Sequence, residues 1–118
     1  MIGENEFKKM KPTCHFINTA RGKCVDEAAL IMALEQGTIA GAGLDVTENE
    51  IMSLDNPLRK MPQVILTGHS AWYSVTAEED LYRRPMTQVV QALKGELPAY
   101  TVNTDVKTKW MARWGKKA

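Results

Sequence analysis

The chain has 118 residues, 44% of them apolar, enough for one modest domain with its own core. With 15 Lys and Arg against 14 Asp and Glu the formal charge is +1, which gives no general electrostatic reason to expect nucleic acid or an anionic membrane as partner. No apolar run approaches the roughly 20 residues of a membrane span and the start lacks a signal peptide's apolar stretch, so a cytoplasmic location is expected.

The first ten residues read as a short helix capped by Asn5 and stopped at Lys11-Pro12. "CHFINTA", from Cys14 to Ala20, is a short apolar run without alternation, as in a strand covered on both faces. Asp26 then caps a helix over 27–36, with Ala29, Leu30, Ala33 and Leu34 as its apolar side and Gly37 as its left-handed stop. "TIAGAGLDV" (38–46) and "QVILTG" (63–68) are a second and a third buried strand. Strand, helix, strand at this spacing predicts an α/β fold of parallel βαβ units with helices on both sheet faces. Thr76 and Glu79 form a capping box for a long helix through Leu81, Met86, Val89, Val90 and Leu93 to Gly95, with a kink or break expected at Pro85. In the tail, Lys107, Lys109, Arg113, Lys116 and Lys117 sit among Trp110, Met111 and Trp114. Tryptophans four apart share one side of a helix, so an amphipathic helix docking onto its own protein is preferred to nucleic-acid or membrane contact. Cys14 and Cys24 have no Cys or His partners at metal-site spacing; reduced thiols and no metal are expected.

In a parallel sheet the loops after the strands emerge at one edge, where ligands bind. Arg21 follows the first strand, Asp45 ends the second with Glu50 in the loop beyond, and His69 follows the third. Each alone has a plain reading: a solvated arginine, a solvated glutamate, a satisfied histidine. Together on one rim they could handle a carboxylate-bearing substrate. The arginine would clamp the carboxylate in a fork, the histidine would move a proton near neutral pH, and a carboxylate behind it would orient the ring.

At these residues the sequence resembles a family. "INTARGKCVDEAALIMALEQGTIAGAGLDV", then "NPL", then "VILTGHSAWYS" is similar to the C-terminal part of the D-isomer-specific 2-hydroxyacid dehydrogenases. That family includes phosphoglycerate dehydrogenase, glyoxylate/hydroxypyruvate reductase, formate dehydrogenase and the C-terminal-binding-protein corepressors. The resemblance runs from about Lys9 to Asn103, and the spacing of Arg21, Asp45 and Glu50 fits it. It implies that Arg21 binds the carboxylate of a 2-oxo or 2-hydroxy acid, that His69 is the acid and base, and that Glu50 pairs with His69. It also implies that Asp45 hydrogen-bonds the nicotinamide carboxamide of NAD or NADP. Thr19, Ala20 and Arg21 on one side, with His69, Ser70, Ala71 and Trp72 on the other, would line the nicotinamide side of the cofactor cleft. The chain departs from the family at Gly68, where proline is usual, and at Ile51 and Met52, where proline commonly follows the glutamate.

A complete member is much longer and carries a glycine fingerprint that seats the pyrophosphate at a helix N-terminus. The near match here, Gly41-Ala42-Gly43, lacks the third glycine and reads on as strand. The resemblance therefore implies a fragment, half of a Rossmann-like doubly wound sheet. Residues 1–72 would be the C-terminal half of the nucleotide-binding domain, and 73–118 an interdomain helix and tail belonging to the substrate domain. Alone, such a piece is expected to be inactive and to self-associate, as a homodimer, through its sheet edge, its apolar face or exchange of the long helix. The family's corepressor branch, which binds nucleotide as a switch for protein partners, is the alternative function.

Overall fold

The structure is a computed structural model and describes residues 1–115. The chain forms two compact units, Met1–Trp72 and a second beginning at Tyr73.

In the first unit, α1 (Glu4–Phe7) is a single turn opened by Gly3; Asn5, the expected cap, lies inside it. Glu6 folds back to accept the Gly3 N–H at 2.8 Å, so a carboxylate within the turn does what a cap would do. β1 (His15–Asn18) leads through a 3₁₀ turn (Gly22–Cys24) into α2 (Glu27–Glu35). Asp26 caps α2 by accepting the Ala29 N–H at 3.0 Å, and Gly37 leaves it at φ 66°. β2 (Gly41–Leu44) and β3 (Val64–Leu66) complete a parallel sheet in the order β1-β2-β3. The strands are shorter than the apolar runs that contain them, because polar turns begin at Asn18, Asp45 and Thr67. Ladder hydrogen bonds nevertheless reach past their ends, from Asp45 N–H to Asn18 O and from Thr67 N–H to Leu44 O, both at 3.0 Å.

One sheet face carries the core, where Phe7, Leu30, Leu34, Ile39, Ala42, Leu44 and Leu58 are buried together. Phe7 meets Phe16 edge-on with ring centres 5.3 Å apart. The other face corrects the expectation of helices on both sides. Ile17 and Ile65 flank Gly43 in register across the three strands, and they are 70% and 71% exposed. The reason lies in the connections. β1 reaches β2 through α2, but β2 reaches β3 through a polar stretch whose regular element is the 3₁₀ turn Pro57–Lys60. "TENEIMSLDNPLRKMPQ" has no helical apolar period and two prolines.

In the second unit, α3 (Val75–Leu93) is capped by Ser74, whose hydroxyl accepts the Ala77 N–H at 3.1 Å; Thr76, the expected cap, is inside the helix. Ser74 has the extended backbone a cap needs, at φ −151° and ψ 161°. The helix runs without a break through Pro85 and ends at Gly95, φ 72°. Pro85 has no N–H to offer the Leu81 carbonyl. Pro85→Ala is therefore expected to stabilise α3 by about 3 kcal/mol, read as a higher thermal midpoint of helical circular dichroism. The apolar stripe of α3 is exposed, as at Leu81, Met86 and Leu93. Beyond it, α4 (Lys107–Trp114) half-buries Trp110 and exposes Met111 and Trp114, with the Arg113 guanidinium 5.0 Å from the Trp114 ring centre. Lys116 and Lys117 lie outside the described residues. Among the described residues no helix is long and apolar enough to cross a membrane.

Candidate active site

The rim at the C-terminal ends of the strands starts with Asn18, the last residue of β1 and buried. Its Oδ1 accepts the Ala20 N–H and its Nδ2 donates to Arg21 O, both at 3.0 Å. The side chain thus turns the backbone through Thr19 and Ala20 and fixes where Arg21 leaves the strand. Arg21 is exposed, with Nη1 donating to Ala20 O at 2.7 Å. Gly22 follows at a point of very close approach to the backbone of Thr47 and Glu48.

Asp45, next after β2, is 6% exposed and organises the segment after β3. Its Oδ1 accepts from the Thr67 hydroxyl at 2.5 Å and the Ser70 N–H at 2.8 Å, and its Oδ2 from the Ala71 N–H at 2.9 Å. The Thr67 hydroxyl, foremost, and the Ala71 and Ser70 amides hold its carboxyl below the ordinary carboxylate range, against the opposing effect of burial. The same turn places His69 at φ 55°, in the left-handed region, with its N–H on Asp45 O at 2.9 Å. Such a backbone costs about 1–3 kcal/mol and persists where the surroundings enforce it. Trp72 closes the turn, its Nε1 donating to His69 O at 3.1 Å.

Gly68 precedes His69 at a backbone angle that is not left-handed, and a Cβ there would meet nothing within 4 Å. Nothing in the fold requires glycine at this position. Gly68→Ala is expected to raise stability by about 0.4–1 kcal/mol by restricting the unfolded chain, read from the urea midpoint.

Glu50 stands in the exposed loop after Asp45 and belongs to two concavities. One, of about 430 Å³, brings Glu50 together with Asp45, Thr67, His69 and Arg59. The other, of about 730 Å³, brings Glu50 together with Arg21 and Gly22. Glu50, with Thr47 and Ile51, lines both, and of the three it alone brings a charge to the wall between the arginine and the histidine. No hydrogen bond joins Glu50 to His69 among the described residues. Cys14 and Cys24 are free thiols, and no group of three or more His, Cys, Asp or Glu suited to a metal occurs among the described residues.

Asn18, Thr67 and Arg59 were not singled out by the sequence. For Asn18 a signal existed, since an asparagine at a strand end commonly turns the chain with its own side chain. Thr67 and Arg59 had none, because Thr67 matters only through its bond to Asp45 and Arg59 only through the cavity that folding brings it to line.

Residues 1–71 match the family described as D-isomer specific 2-hydroxyacid dehydrogenase, NAD binding domain. A glyoxylate reductase of Thermofilum pendens is 42% identical over 106 residues, which is 90% of this chain and 31% of the relative. The crystal structure of D-lactate dehydrogenase with NAD+ from Lactobacillus jensenii superposes with a TM-score of 0.76 at 36% identity, over 87% of this chain and 35% of that one. A probable 2-hydroxyacid dehydrogenase from Rhizobium etli, in complex with NADP, superposes at 0.72 with 32% identity, over 86% of this chain and 33% of that one. The chain therefore spans about a third of the length of the relatives it matches. With its parallel sheet and the match over 1–71, the chain belongs to the D-isomer-specific 2-hydroxyacid dehydrogenases and carries part of their NAD-binding domain.

Proposed function

We propose that this chain carries the acid–base rim of an enzyme that moves a hydride between NAD or NADP and a 2-oxo acid, interconverting it with the D-2-hydroxy acid. The observation that carries this reading is the gathering of Arg21, Glu50 and His69 around one rim, with Glu50 lining both the cavity of the arginine and that of the histidine. Arg21 binds the substrate carboxylate through its fork of N–H donors. His69 gives its proton to the carbonyl oxygen in reduction and takes it back from the hydroxyl in oxidation. Glu50 orients the ring. A bound nicotinamide supplies or accepts the hydride at the adjacent carbon.

The nicotinamide end of a cofactor fits this rim. A carboxylate has about four acceptor positions, and Asp45 uses three, leaving one on Oδ2 for a carboxamide N–H. Thr19, Ala20 and Arg21, with Ser70, Ala71 and Trp72, frame the same edge. The pyrophosphate end does not fit: Gly41, Ala42 and Gly43 lie within β2 and open no helix. The chain alone is accordingly a weak binder without turnover.

Titration of the chain with NADH, followed by NMR amide shifts, tests both parts. Shifts confined to residues 19–21, 45 and 69–72 that fail to saturate in the millimolar range are expected. No shift there sinks the cofactor assignment, and saturation at micromolar concentration overturns the weak binding. Pyruvate or glyoxylate should likewise move Arg21 in the wild type and leave an Arg21→Gln chain unchanged.

The exposed face of Ile17, Gly43 and Ile65, together with the two edge strands, supports self-association as a dimer. Sedimentation at micromolar concentration is expected to give a species heavier than the monomer; a clean monomer refutes this part. No nucleic acid or membrane takes part in the proposed role, and residues from Tyr73 onward are proposed to belong with a substrate domain.

A further inference from the structure

The loop that carries Glu50 has no regular structure of its own between Thr47 and Asn56. Both of its ends are tied to a single side chain from elsewhere. Glu27, the first residue of α2, accepts the Glu48 N–H through Oε2 at 2.9 Å and the Asn56 side-chain amide through Oε1 at 2.7 Å. Asn56 in turn uses its Oδ1 to accept the Leu58 N–H at 3.0 Å, capping the turn Pro57–Lys60. Glu27 is half-buried, and an acidic side chain suits the first turn of a helix. Hydrogen bonds to a carboxylate are roughly twice as strong as neutral ones.

We propose that Glu27 is a positioning residue for Glu50. By gripping residues 48 and 56 with its two oxygens it closes the loop between them, and so sets where Glu50 stands on the cavity wall shared with His69. This rests on the role proposed for Glu50 above. The polarity of the brace allows one arrangement. Asn56 cannot turn its amide round, because Oδ1 is committed to Leu58. Glu27→Gln then keeps one acceptor and loses one of the two bonds, and Glu27→Ala loses both. Combining E27Q with N56D exchanges donor and acceptor: the new amide donates to the new carboxylate, whose other oxygen still caps Leu58, a position where aspartate serves as well as asparagine.

NMR of the whole chain at fixed pH provides two readouts, amide exchange at Glu48 for the brace and the ring resonances of His69 for the position of Glu50. Exchange at Leu30 serves as the folding control. Glu50→Gln first defines how the His69 ring reports loss of the neighbouring carboxylate. E27A is expected to speed Glu48 exchange about tenfold, as for one lost hydrogen bond, E27Q to lose whichever of the two bonds its amide nitrogen faces, and both to move the His69 ring in the direction set by E50Q. The E27Q/N56D swap should return both toward the native values. Unchanged Glu48 exchange in both E27Q and E27A overturns the brace. Faster exchange with an unmoved His69 ring overturns the positioning role. An E50Q chain whose His69 ring does not move defeats the Glu50–His69 pairing and the positioning role with it, while Glu48 exchange still judges the brace separately.

Discussion

Gly22→Ala should be among the most damaging single substitutions in the chain. A Cβ on Gly22 would lie 1.8 Å from Thr47 O, 2.1 Å from Thr47 C and 2.6 Å from Glu48 N. All three are backbone atoms, so no side chain can swing aside. The turn after Arg21 must separate from the start of the loop that carries Glu50, and the cavity they share must open. Overpacking ordinarily costs about 1–3 kcal/mol, with neighbours that can adjust. Here the loss should reach about 4–5 kcal/mol, the range reserved for a few named mechanisms. The urea midpoint measures it, and a change within about 0.5 kcal/mol, ordinary for a surface substitution, would show that the two segments part freely.

Asp45→Asn should dismantle the turn around His69 without touching the core. The carboxylate faces three donors, from Thr67, Ser70 and Ala71. An asparagine brings one acceptor and an NH₂ group, so at least one donor is set against another donor. At neutral pH, amide protection at Ser70 and Ala71 should be lost, and His69 should relax from its left-handed backbone. The pH dependence has a defined sign. Asp45 titrates below its ordinary 3.8 in the folded chain, so its contribution is fully present above that value and disappears as pH falls through the lower, folded one. The gap in urea midpoint between wild type and variant should therefore close in acid, because a protonated Asp45 meets the same excess of donors. A gap that stays constant on acidification would assign the effect to shape and not to charge.

Much of the unit around β1 and β2 could be read from local chemistry. Asp26 and Gly37 bracket a helix whose Ala29, Leu30, Ala33 and Leu34 repeat with helical spacing, and the structure has that helix between those two residues. Arg21, Asp45 and His69 stand where the apolar runs end, so a parallel sheet puts them on one edge whatever their role. Caps were harder to read. Asn5 and Thr76 are good capping residues, but Gly3 gains the Glu6 carboxylate and Ser74 comes first with an extended backbone. An exposed apolar face was expected of a half-sheet, but not that Ile17 and Ile65 form it: an apolar strand looks the same whether or not a helix arrives to cover it. Gly22 and Glu27 could not be read at all, since the partners of both lie in the loop after β2, more than twenty residues along the chain.

The indole of Trp72 gives the turn at His69 an optical handle. Its N–H rests on the carbonyl of the left-handed histidine, whereas Trp110 and Trp114 are both in α4. With those two replaced by phenylalanine, the remaining emission would come from this turn alone. Whatever occupies or releases the rim, whether nicotinamide, an oxo acid or a proton on Asp45, then becomes visible as a change in colour and intensity, with no dye attached.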